Sequence, residues 1–333
     1  MKKAIACVAL AAVFLVLGDA HVRSQLREAL HSAEPQAQLE EPVFSEQLGG
    51  HERTDMLEVA LYYRFADTDV LGVERAQLDI RREETVATRI VQRLIDGPGV
   101  GHDRLGGLFP SGTRLISVTG EATTAFVTLS SEFLGRPDGA PADWEDSPSW
   151  QDEATLRRRL AVQSIALSLT EGGRFQRVQL YIADTDDDVP ERVPLAYFDR
   201  GTTDPALVLA ACPRDEQAML TPQRAMTLIL EAWQAMDWAR LYQLLAPAQG
   251  GVLPTLSVFE AAMRELDVAL LEAETTPGTV SLDGQTATMV VTAQIRTRAG
   301  GDAQIVRESV PLLRLRDNWA IGEDTLRSLM IRD

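Results

Sequence analysis

Every lysine of this 333-residue chain falls within its first three positions, at Lys2 and Lys3, and an uncharged apolar run of 15 residues, Ala4 to Gly18, follows at once. A short positive patch ahead of such a run is the pattern of an export signal, with cleavage expected after Ala20. Left uncleaved, the run is a little short of the ~20 residues of a spanning helix, so residues 1–20 read as a signal peptide or membrane anchor. Residues 21–53 are polar, with Pro35 and Pro42, and read as a linker. The folded body is therefore expected outside the cytoplasm, periplasmic or otherwise extracytoplasmic, with the N-terminus as its contact with the inner membrane.

The same distribution of lysines excludes whole classes of chemistry from the folded body. Without lysine there is no Schiff base, no phosphate-loop lysine and no lysine general base. Cys7 sits too early in the apolar run to be a lipidated cysteine, which leaves Cys212 alone and no partner within the chain for a disulfide. The formal charge of -17 repels phosphate backbones, so nucleic acid is not an expected partner.

Hydrophobic periodicity then divides the remainder. Strands are expected at Leu57 to Arg64, Leu71 to Arg81, Arg114 to Val118, Thr124 to Ser130 and Arg177 to Ile182, and helices from Glu84 to Ile95 and Glu153 to Thr170. Gly97 and Pro98 stop the first helix. Strands and helices interleave without strict alternation, which makes the class α+β. LYYRF at Leu61, LIDGP at Leu94 to Pro98, FPSGT at Phe109 to Thr113, FVTLSSEF at Phe126 to Phe133 and IALSLTEGGRFQRVQLYI at Ile165 to Ile182 occur in an order that resembles the GerMN domain. That domain occurs in sporulation and germination proteins and in some envelope lipoproteins. The resemblance covers residues 54–200 and implies a non-catalytic module of envelope assembly or sporulation, binding envelope proteins or peptidoglycan. The chain departs from the family pattern at Ala183 to Val189 (ADTDDDV), where a glycine turn is usual, and in lacking a lipid-anchored cysteine.

After an expected linker at 201–217, the pattern changes. Thr221 followed by Pro222 is a helix start, Asp237 a second, and Ser257 with Glu260 a capping box for a third helix ending near Asp267. Strands follow at Val268 to Thr276, broken by Pro277 and Gly278, then Val280 to Leu282, Gln285 to Arg298, Ile305 to Arg316 and Trp319 to Ile321, with Asp283-Gly284 as a hairpin turn. This order, with ILEAWQAMDWARLYQLLAP from Ile229 and LRLRDNWAI from Leu313, resembles the SnoaL-like or cystatin-like cone. The fold class is thus α+β in two domains, the second being residues 218–333.

Few residues of the two domains have the spacing that chemistry needs. The glycine-rich run from Gly97 to Gly107 lacks the lysine and register of a phosphate loop and reads as an ordered turn. His51-Glu52 lacks the second histidine of a zinc helix, and no GxSxG turn presents a serine, so no catalytic residue, metal site or cofactor is assigned. Asp184, Asp186 and Asp188 alternate as in a calcium loop, but Val189 and Leu195 stand where glycine and glutamate are required, so a solvated turn is expected. In the cone, Trp233, Trp238, Tyr242 and Trp319 form a candidate pocket with Asp237 or Asp267 as acid or base. The competing reading makes these aromatics core and the aspartate a helix cap. The leading expectation is an exported binding protein; the alternative is a small-ligand binder or enzyme using the cone pocket.

Overall fold

The apolar run LEVALYYR forms the middle of β1 (Asp55–Phe65), which pairs antiparallel with β2 (Leu71–Ile80) and briefly with β3 (Leu105–Gly106). The computed structural model describes residues 55–248, 251–266, 268–297, 301–316 and 318–331, which belong to one compact unit. The expectations for residues 1–53 and for Asp267 lie outside the described residues. Between β1 and β2 the chain reverses through Ala66 and Asp67, both left-handed (φ 43° and 55°), with the Thr68 amide donating to the Phe65 carbonyl at 2.8 Å. Two positive-φ residues in succession make a type I′ turn, here without the glycine or asparagine that usually supplies it.

Helix α1 (Val86–Asp96) is capped by Thr85, whose hydroxyl accepts the Thr88 amide, and ends at Gly97 (φ 92°). A second sheet runs β4 (Leu115–Glu121), β5 (Thr124–Leu129), β6 (Arg177–Ile182), β7 (Glu191–Arg192), with β8 (Cys212–Pro213) also along β6. Strands β5 and β6 are parallel, and the crossover between them is α2 (Pro148–Thr170), longer at its start than the apolar pattern announces. Pro148 needs no amide partner in the first helical turn, which lets the helix begin there. Buried residues run round much of the circumference of α2, from Ala154 and Leu160 through Ile165 and Leu169, because it packs on both β1 and β6.

That packing resolves a backbone problem. Tyr62 of β1 lies opposite Val73 of β2. The amide and carbonyl of Tyr62 turn away from β2, towards Ser168 Oγ (3.2 Å) and Ser164 Oγ (2.5 Å) on α2. On the far side the Val73 amide donates to Asn318 Oδ1 at 3.0 Å and the Val73 carbonyl accepts from Asn318 Nδ2 at 3.2 Å. Tyr62 and Val73 are thus a non-hydrogen-bonded pair whose four outward groups are met by three side chains in place of further strands. Gly72 permits this approach, since a Cβ there would stand 2.6 Å from Asn318 Oδ1 and 2.7 Å from Leu105 Cδ2.

In the second half, α3 (Pro222–Ala235), α4 (Trp238–Gln243) and α5 (Leu256–Glu265) accompany a sheet ordered β10 (Val268–Val280), β11 (Thr286–Thr297), β12 (Gln304–Leu315), β13 (Asn318–Gly322), β9 (Leu245–Ala246), of which β9 falls between α4 and α5 in the chain. The caps at Thr221 and Asp237 form as expected, accepting the Arg224 and Arg240 amides. The third does not: Thr255 precedes α5, and Ser257 lies inside it, its hydroxyl against that of Thr255 at 3.1 Å. Pro277 and Gly278 do not break β10 either. The strand lies at the sheet edge, where a missing amide costs no ladder bond, and absorbs them as a register shift between Thr276 and Thr279. A further helix, α6 (Glu323–Met330), closes against β12 and β13 through Leu326, Leu329 and Met330.

Candidate functional site

The four aromatics of the expected pocket sit in packed surroundings. Trp233 is fully buried, its indole N–H 3.4 Å from the Val268 carbonyl. Trp238 is buried on α4, and Trp319 on β13 lies under the Arg314 guanidinium, 5.8 Å from its ring centre. The Tyr242 hydroxyl donates to the Pro254 carbonyl at 2.8 Å, and its ring packs 5.7 Å from that of Phe259. Asp237 accepts the Arg240 amide as a helix cap.

The sequence motifs of the first half resolve into turns with named partners. In the glycine-rich run the Glu74 carboxylate accepts the Gly99 amide at 2.8 Å and faces Arg93 at 3.2 Å, so a carboxylate holds the position a bound phosphate would need. Asp184 accepts the Ser131 amide and Asp188 accepts the Thr185 amide. The Ser131 hydroxyl and amide hold the Asp184 carboxyl below its ordinary value. Among the described residues no group of three or more His, Cys, Asp or Glu is placed to hold a metal ion. Burial, with Asp215 adding to it, pushes the Cys212 thiol up to about 11 and keeps it protonated at neutral pH.

What the fold does create is a groove beside α2. Two hollows of about 660 and 480 Å³ share Asp69 and Leu156 and so run into each other. The first is walled by the β1–β2 turn and by α3 and α4, and is charged: Asp67, Asp69, Glu231 and Asp237 against Arg224 and Arg240. The second runs between α2 and the segment 195–218 over an apolar floor that includes Leu156, Leu160, Val162, Leu195 and Phe198. Within the charged end, Asp69 takes Arg224 with both oxygens at 2.8 Å, which leaves the acidic residues in excess. Such volumes fall in the range of ligand and peptide sites.

The turn that walls the groove is held from behind. Arg64, whose side chain is 6% exposed, donates to the carbonyls of Asp67 (2.9 Å) and Thr68 (2.8 Å). Glu153 on α2 receives Arg64 through both carboxylate oxygens and also receives Arg157 Nε at 2.6 Å. Burial alone would raise the Glu153 carboxyl; the hydrogen bonds from Arg64 and Arg157 outweigh it and hold the group below its ordinary value. Sequence reading missed this groove because its walls come from four separated segments and its turn, Ala66-Asp67, lacks the residues that mark positive φ.

Residues 60–188 match the Germane family model, described as sporulation and spore germination. No curated protein sequence matches the chain. Among solved structures, the tandem GerMN domains of the sporulation protein GerM from Bacillus subtilis are 14% identical over 53% of this chain and 51% of that one, with a TM-score of 0.30. The chain therefore spans about half the length of that relative. The first GerMN domain of GerM alone gives 19% identity, 39% and 84% coverage and a TM-score of 0.25. A candidate lipoprotein from Clostridium perfringens gives 17%, 39%, 76% and 0.24. On the family match, the segment from β1 to the acidic turn at 184–188 is a GerMN-like domain.

Proposed function

We propose that this chain is an exported cell-envelope protein that works by binding, without catalysis, in envelope assembly or sporulation, and that the groove beside α2 receives an extended segment of a protein partner. The family match over residues 60–188 is the observation that carries the envelope reading. The groove supplies the surface: apolar side chains of the partner lie over Leu156 and Leu195, and a basic one meets the acidic excess of Asp67, Glu231 and Asp237. Residues 54–200 act in this proposal as the GerMN-like domain and residues 218–333 as a cone-type companion that contributes α3 and α4 to the groove wall. Contact with the membrane rests on Lys2, Lys3 and the apolar run; among the described residues no helix is long and apolar enough to cross a membrane.

The test is crosslinking in intact cells with a photoreactive residue at Ala239, exposed on the groove wall. An envelope protein attached there, and lost when Leu156→Arg fills the groove, is the expected result. Attachment that survives Leu156→Arg overturns the groove as the docking surface. Release of soluble fragments from peptidoglycan by the purified protein overturns the non-catalytic reading.

A further inference from the structure

Away from the groove, Arg158 of α2 is a charge without a counter-charge. It is 8% exposed, yet among the described residues no carboxylate lies within 4.0 Å of its guanidinium. One terminal nitrogen donates to the carbonyls of Leu134 (2.6 Å) and Gly135 (3.2 Å), and the rings of Trp144 and Tyr197 lie 5.7 and 5.3 Å from its central carbon. Carbonyls and ring faces supply partial negative charge, which softens the cost of burying a cation but does not neutralise it. Burial accordingly draws the group's pKa down, with Tyr197 and the more distant Glu145 acting against that.

Arg158 lines a cavity of about 20 Å³, room for one or two water-sized atoms. This chamber shares Pro110, Gly135, Pro137 and Asp138 with an outer bowl of about 330 Å³ that opens towards solvent. The walls are stiff. Prolines 110 and 137 fix two loops, the Asp138 carboxylate accepts the Ser111 amide at 3.0 Å, and the Asp138 carbonyl accepts Arg157 at 2.9 Å. Arg136 stands exposed at the bowl with no partner among the described residues.

We propose that this two-chambered cavity is a binding site for a monocarboxylate, one oxygen of which enters the inner chamber to meet Arg158 while its body rests in the outer bowl beside Arg136. One oxygen of a carboxylate fits a space of that size and reaches the guanidinium, whereas a phosphate ester brings a second negative charge to the acidic bowl. Glu132 in the bowl and Asp138, which lines both chambers, repel a second negative charge and so select against dicarboxylates. The ligand is an acid whose remaining surface is small and neutral or cationic.

The experiment titrates the purified protein with N-acetylalanine and, in parallel, with N-acetylalaninamide and methyl phosphate, following the arginine Nε–H signals by nuclear magnetic resonance. The Arg158 signal is identified by its absence in Arg158→Lys. N-acetylalanine is expected to shift it saturably with a Kd on the order of 1 mM, the amide and the phosphate leaving it in place. Arg136→Gln, a surface change that leaves the fold intact, is expected to weaken binding about threefold. Ala154→Val, which fills the inner chamber, is expected to abolish it. Equal shifts with the amide, or no shift with N-acetylalanine at about tenfold the expected Kd, overturn the proposal whether or not Ala154→Val folds.

Discussion

Glu153→Gln tests whether the β1–β2 turn is held from α2. The substitution keeps the shape of the side chain but removes the charge that Arg64 and Arg157 share. Breaking a fully buried pair costs about 3–5 kcal/mol, because the surviving charge stays out of water. Arg64 is as buried as that figure assumes, at 6% exposure, but Glu153 is 24% exposed and the carbonyls of Asp67 and Thr68 remain as partners. The expected loss is therefore about 2–3 kcal/mol, or roughly 3–5 °C in Tm for a folded body of this size. The neighbouring Asp152→Asn removes an exposed pair with Arg200 and is expected to change stability by less than about 0.5 kcal/mol. Urea and thermal unfolding of both variants at neutral pH measure the difference. The dependence on pH follows from the depressed carboxyl of Glu153. Its contribution is complete above the ordinary value of 4.5 and is lost as pH falls through its lower folded value, so wild type and Glu153→Gln converge on acidification. If the two variants behave alike at pH 7, or if their curves stay parallel into acid, the network does not hold the turn.

Three further outcomes are expected. Asn318→Ala leaves the amide and carbonyl of Val73 without protein partners and costs about 2 kcal/mol, read as a lower urea midpoint and faster hydrogen exchange at Val73. Cys212, with its thiol near 11, reacts at pH 9 about a hundredfold more slowly than an exposed thiol with a water-soluble disulfide reagent, and the rate climbs towards pH 11; a rate that levels off near pH 9 refutes it. Gly72→Ala pushes Asn318 and Leu105 aside and reproduces most of the Asn318→Ala loss, whereas Gly107→Ala, whose Cβ meets nothing within 4 Å, does not.

The parts of the fold that were legible in the sequence are those whose chemistry is local. Thr221-Pro222 and Asp237 announce helix starts because the cap and the amide it satisfies are three residues apart. Asp283-Gly284 announces a hairpin because Gly284 takes φ 68°. The sequence was misleading where a tertiary neighbour decides. Ser257 and Glu260 have capping-box spacing, but Glu260 is engaged by Arg264 at 2.8 Å. Pro277 and Gly278 look like a break, but only in a strand that needs its amide. Helix α6 escaped notice because its buried stripe is three residues long, Leu326, Leu329 and Met330. The groove was illegible for a related reason: Asp69, Leu156 and Arg224 acquire a common surface only once α2 and α3 are docked, and no spacing in the chain encodes that.

The three side chains that close off Tyr62 and Val73 also impose a timetable. Tyr62 meets Ser168 across 106 residues, but Val73 waits for Asn318, 245 residues away. At a synthesis rate of about 5–20 residues per second, the outer edge of β2 is complete for tens of seconds before its seal emerges. During that interval it offers unpaired amides and carbonyls to any passing strand, the situation from which edge-to-edge aggregation starts. A chain built in this way gains from folding only after its last strand has emerged, since the edge and its seal are then present together. The position of one asparagine, 245 residues beyond the edge it seals, thus makes late folding the safer route for the whole molecule.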